Sequence, residues 1–396
     1  MSQPFVNVPA NTPEILSYNQ QHDAIWLALI ASLILISCAF MWFGWSAYAR
    51  DRLSVALGRR QRLITPIYVF GFVVALCLLV LPIGYFLDIG LGSAWERPVP
   101  SFGDWLTGSL ITAFGAGLLS ALLVPLVYGA MKRAPSLWWA IVAVTAWVVA
   151  ALGLQIDQMF VKPASANMRP LPDGPMRKAF EALAERCGVD RVPIFLTDDS
   201  GIGGTVHGVW PFSRIVLGEQ TLNSPPGEQV TTFAHELKHY LFQDNWLALL
   251  TVAVILIALA ALIHIIAKVF IWRFGKFLKL GSIYDLAAFP LLVSTALAGW
   301  TFLATPTLNL VQQHVEREAT RFSFEITRDS NSDPQRLARE GDPLGLKEYY
   351  PFYRVFRASH PSAADNARLA NSWRPWEEGE PGRYEDVCEP PVASAF

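Results

Sequence analysis

The sequence predicts a polytopic α-helical membrane protein of about six transmembrane helices, with an α+β domain outside the lipid. Three observations lead there. Of 396 residues, 53% are hydrophobic and 16% charged, against roughly 25% charge in an ordinary soluble domain. Several uncharged apolar runs reach the roughly 20 residues that cross a bilayer core as a helix. Two other stretches, at about 162–244 and from about 311 onward, are richer in charge.

In chain order, the apolar runs cover about Ala24 to Trp45, Ile67 to Phe86, Trp105 to Tyr128 and Leu137 to Ile156. Pro, Gly or charged residues bound each of them. The fifth and sixth follow much later, at about Trp246 to Ala267 and Leu286 to Ala304. The first run exceeds a signal-peptide core, and no Lys or Arg precedes it. In the first charged stretch, Pro175 to Arg186 has helical periodicity, and Val192 to Thr197 and Arg214 to Leu217 read as strands. Gly201 to Gly204 is a turn-prone link, and the tail after Arg374 reads as irregular or mobile.

Composition also excludes some functions. Lys+Arg of 31 against Asp+Glu of 33 gives a net charge of -2, without the basic excess of a nucleic-acid binder. The four cysteines, Cys38, Cys77, Cys187 and Cys388, are too scattered for a disulfide framework or a cysteine-ligated zinc cluster. The cationic residues cluster by loop. Arg50, Arg52, Arg59, Arg60 and Arg62 follow the first run, Lys132 and Arg133 follow the third, and Lys268, Arg273, Lys276 and Lys279 follow the fifth. The N-terminal segment has none, and the second loop has only Arg97. By the positive-inside bias, the N-terminus and both charged stretches lie on the outer side, periplasmic or extracellular in a bacterial plasma membrane.

Just before the fifth run stands His235-Glu236-Leu-Lys-His239, an H-E-x-x-H motif. Residues four apart share a helix face, so both imidazoles reach one Zn²⁺ while Glu236 projects toward its water. Ser224-Pro-Pro-Gly-Glu228 offers a helix start near 225 with a cap-like serine. Seven histidines in this composition yield roughly 0.005 such pentapeptides by chance. A zinc peptidase site needs a third protein ligand. The helical-looking stretch after the sixth run supplies His314, Glu316, Glu318 and Glu325, and spacing does not choose among them.

These residues resemble the type I CAAX prenyl proteases and their relatives in metallopeptidase family 48, which are integral-membrane gluzincins. The resemblance runs through Pro170-Leu-Pro-Asp-Gly174, a helix ending near Cys187-Gly188, the 192–197 strand, the Gly208 turn, Arg214-Ile-Val-Leu217, H-E-x-x-H and two further membrane helices. It implies a zincin-type catalytic domain and makes Glu316 the third zinc ligand, as the Glu of an E-x-x-x-D motif. It also implies that His360, in His360-Pro361-Ser362, stabilises the oxyanion. Three departures stand out. Thr320 takes the motif's aspartate position, Gly203-Gly204 an Asn-Ala pair, and the expected Arg after His360 is displaced, with Arg368 nearest. Relatives usually carry seven membrane helices and a cytosolic site, whereas the loops here favour the outer side. An outer site lets Cys187 and Cys388 pair.

The expected organisation is a membrane domain of four helices at 1–160, a first catalytic part at 161–245, two helices at 246–305 and a second catalytic part at 306–396. The expected function is a membrane-embedded zinc-dependent metalloendopeptidase with one Zn²⁺ per chain, held by His235, His239 and Glu316, with Glu236 and His360 catalytic. Its partners are the lipid bilayer and a membrane-associated or lipid-near polypeptide. The alternative is a weakly active or inactive zinc-binding scaffold, motivated by Thr320 and Gly203. His22, His264, His207 and His314 read as solvated or packed. Trp42, Trp45, Trp105, Trp138, Trp139, Trp246 and Trp272 read as interfacial anchors.

Overall fold

The computed structural model describes residues 5–389 except 59, 166, 200–202 and 333–341, so Arg59 and part of the Gly201 link lie outside the described residues. Six described helices are long and apolar enough to cross a membrane: Pro13–Trp42, Ile64–Ala94, Phe102–Arg133, Trp138–Ser165, Asp244–Leu278 and Leu286–Thr327. The six apolar runs map onto these helices, which are longer than the runs, except that the first run overshoots its helix: the chain turns at Gly44, φ 77°, and Trp45 opens a separate helix. Nothing in the sequence breaks the fifth helix at Ala267, so Lys268, Arg273 and Lys276 continue it as helix to Leu278. The sixth passes through a π-helical turn at Trp300–Ala304 into the Thr305–Thr327 helix.

The chain forms two compact units. One comprises 16–147 and 253–306. Its core includes Tyr68, Val69, Phe72, Met131, Trp138, Ala287 and Phe289. The link after the first span is itself a helix, Trp45–Leu57. From it, Arg50 reaches both carboxylate oxygens of Asp285, at 2.5 and 2.6 Å. Trp138 is not the interfacial anchor expected: it is 4% exposed and its indole N–H donates to His264 Nδ1 at 2.9 Å.

The other unit comprises 1–15, 148–252 and 307–396. It holds a four-stranded sheet in the order β1–β2–β4–β3, where β1 is Arg169–Pro170, β2 Ile194–Thr197, β3 Gly204–His207 and β4 Arg214–Gly218. β2 and β4 are parallel, and β3 lies antiparallel to β4 at an edge. The Pro175–Arg186 helix buries Phe180, Leu183 and Ala184, one stripe at helical spacing. Phe180 stacks on Phe233 of the Pro226–Phe242 helix at 4.3 Å between centroids. Leu196, Ile215, Leu217 and Phe322 complete that core.

Two local expectations are corrected. Ser224 does not cap the Pro226–Phe242 helix; its hydroxyl donates to Gln220 O, and Pro226 supplies the preset first turn. The tail is not loose as far as Glu389. Tyr384 and Cys388 are buried, and Cys388 forms a disulfide with Cys187, 201 residues away in sequence. Cys38 and Cys77 remain free thiols.

Candidate metal centre

Both histidines of the motif project from the Pro226–Phe242 helix, and Glu316 projects from the Thr305–Thr327 helix. His235 Nε2 lies 3.1 Å from Glu316 Oε2 and 3.2 Å from His239 Nε2, and His239 Nε2 lies 3.7 Å from the same Oε2. Tetrahedral Zn²⁺ with bonds of about 2.05 Å sets its donors about 3.3 Å apart. Two imidazole nitrogens and a carboxylate oxygen, converging at these separations, therefore fit zinc in both chemistry and size.

Of the alternatives left open by spacing, His314 is exposed. Glu318 accepts from the Tyr384 hydroxyl at 2.7 Å and pairs with Arg321 at 2.5 Å. Glu325 accepts from the Trp373 indole and the Tyr384 backbone N–H. Glu316 is held from its own helix: Gln312, one turn back, donates to its Oε1 at 2.7 Å.

A cavity of about 560 Å³ opens on the three donor residues. Glu236, 7% exposed, and His360 line it, with Gly204, Thr320, Asn245 and Asn366. A Cβ on Gly204 would come within 2.7 Å of Glu236 Cγ, so β3 runs directly along that carboxylate. His360 Nε2 lies 3.5 Å from Glu316 Oε1. Arg368 goes elsewhere, to Glu348 and Asp365, and Asn366 faces the cavity instead. His207 is buried on β3 and absent from the cavity lining. Burial, with Arg214 and Lys162 nearby and only Asp157 opposing, pushes its pKa down to about 4.

Sequence reading missed Asp244. The Pro226–Phe242 helix ends at Gln243, a non-glycine residue with φ of 54°, and that reversal swings Asp244 back over the preceding turn. Its Oδ2 then accepts from His239 Nδ1 at 2.6 Å and from Lys238 Nζ at 2.7 Å. Burial opposes the His239 imidazolium, whereas Asp244 and Glu316 favour it and raise the pKa; a metal would displace the Nε2 proton and leave the one on Nδ1. Thr320 donates instead to the Glu316 backbone carbonyl at 3.0 Å. The one available signal was an acid five residues after His239, where the apolar run begins.

Residues 170–373 match the family model for Peptidase family M48. The chain is 25% identical to CAAX prenyl protease 1 of Saccharomyces cerevisiae over 327 residues, covering 74% of this chain and 69% of the relative. It is 22% identical to a CAAX prenyl protease 1 homolog of Arabidopsis thaliana over 283 residues, covering 67% and 62%. The crystal structure of S. mikatae Ste24p has a similar fold, with a TM-score of 0.60 at 18% identity, covering 84% of this chain and 82% of that one.

Proposed function

The chain belongs to peptidase family M48 and is an integral-membrane, CAAX prenyl protease-like metalloprotease, and on that premise we propose a zinc-dependent endopeptidase that cuts membrane-associated polypeptides. His235, His239 and Glu316 hold one Zn²⁺ per chain. The observation that carries this reading is the convergence of those three donors at zinc-compatible separations in the cavity that Glu236 lines.

Bound zinc would supply Lewis acidity, polarising the scissile carbonyl and acidifying water. Glu236 takes the proton from the attacking water and delivers it to the leaving amine. His360, which lines the same cavity, donates to the developing oxyanion. Gly204 lets an extended peptide approach the β3 edge beside Glu236, pairing by strand addition. The Gly203-Gly204 pair in place of the family's Asn-Ala alters the surface that would hold substrate backbone, which favours general membrane proteolysis over processing of prenylated termini. The membrane-domain and catalytic divisions at 160, 245 and 305 belong to the same proposal.

We assign the catalytic part to the outer side of the membrane. Cationic loops support this, and so does the Cys187–Cys388 disulfide, which persists in an oxidising compartment. The test is casein cleavage by detergent-purified protein, wild type against Glu236→Gln at matched zinc content. Cleavage lost in the variant supports the reading. Equal cleavage by both, or none by either, overturns it.

A further inference from the structure

The outer edge of β3 is largely closed by the protein itself. In an antiparallel ladder, alternate residues turn both backbone groups toward the partner strand and the others turn both outward. Gly203 O accepts from Gly218 N of β4, so Gly203, Thr205 and His207 face inward and Gly204, Val206 and Gly208 face outward. The outward groups are then claimed one by one. Asn245 Nδ2 donates to Val206 O at 3.0 Å and to Gly208 O at 2.7 Å. Gly208 N donates to Gln158 Oε1 at 2.6 Å. Among the described residues this leaves only Gly204 N–H, Gly204 C=O and Val206 N–H for another strand, next to Glu236.

Resting on the peptidase reading above, we propose that Asn245 is a specificity-determining residue that caps the substrate-binding edge. A carboxamide that gives both its N–H groups to carbonyls at 206 and 208 imitates the next rungs of an added strand. A substrate therefore pairs with β3 beside the scissile bond and must leave the edge within about two residues on that flank. Asn245 is the second residue of the Asp244–Leu278 helix, so the cap is set where the chain turns at Gln243. The enzyme then accepts polypeptides that are extended only briefly around the cut, and longer extended flanks on the capped side add no affinity.

The test uses zinc-loaded wild-type protein and phosphinic pseudopeptides, in which a phosphinate replaces the scissile amide and fixes register on the metal. Alanine residues are added singly to either flank, and dissociation constants are read by fluorescence anisotropy. One flank is expected to tighten by about fivefold per residue for about two residues and then level off. In Asn245→Ala, checked for zinc content and melting temperature, the plateau should move outward by about two residues. Continued tightening on both flanks of wild type, no tightening on either, or an unmoved plateau in the variant overturns the cap. If Asn245→Ala does not fold, the wild-type series decides alone. Binding without casein cleavage would sink the peptidase reading and leave the cap standing, whereas no binding by the shortest phosphinate takes down both.

Discussion

His239 Nδ1 and Asp244 Oδ2 lie 2.6 Å apart across the break between two helices. With the carboxylate accepting, the imidazole proton is held on Nδ1 and the Nε2 lone pair is turned toward Glu316 and His235. The same oxygen serves Lys238, which is 5% exposed, so one acid orients an imidazole of the candidate metal centre and neutralises a buried cation.

Asp244→Asn should therefore weaken zinc binding by about 10- to 100-fold, measured by chelator competition. Asp244→Ala should in addition lower the melting temperature by leaving Lys238 unpaired, and adding Lys238→Met should recover part of that loss. Unchanged zinc affinity in Asp244→Asn would show that the contact does not orient the ligand.

Gly204→Val should reduce kcat by about 10- to 100-fold, because the new side chain must displace Glu236 from beside β3. Zinc content should stay the same, since the ligands lie on other elements. A variant with full turnover would mean that Glu236 works from another position.

Reduction of the disulfide, or Cys388→Ser, should cost about 2–5 kcal/mol, because the closed loop is long. Tyr384 would then lose its hold on Glu318 and Glu325. Limited proteolysis should cut the 380s in reduced protein and spare them in oxidised protein.

His207 sets a pH dependence. Its folded pKa of about 4 lies below the ordinary 6.5, so between those values the unfolded chain binds a proton that the folded chain refuses. Stability should fall as pH drops from about 6.5 to about 4, and the loss is complete below that. The slope of melting temperature against pH over this window should be shallower in His207→Gln. An identical slope in both proteins would assign the effect to other groups.

The spans and the motif helix were legible because both rest on local pattern: long uncharged runs, and histidines one turn apart. The Pro175–Arg186 helix was legible for the same reason, with Pro at its start and Gly188 in the left-handed region just past its end. What escaped depends on contacts distant in sequence. β3 begins at a glycine that reads as turn, and it becomes a strand only because β4 pairs with it. Trp138 reads locally as an anchor, since no local signal announces His264, 126 residues away. The tail looked irregular by composition, yet Tyr384 and Cys388 are gripped by helices that precede it by 59 or more residues. Asp244 escaped for a different reason: its role depends on a left-handed Gln243, a residue with no particular preference for that conformation.

The Cys187–Cys388 bridge also ties the protein into a covalent ring. Every residue assigned to the chemistry, from His235 through Glu316 to His360, lies inside it, as does Asn245. A peptidase crowded in a membrane is exposed to cuts by its neighbours of the same kind. One such cut inside the ring opens a circle and releases no fragment, so both halves of the metal site stay on one molecule. Nicked protein should migrate as a single band until a reductant separates it into two.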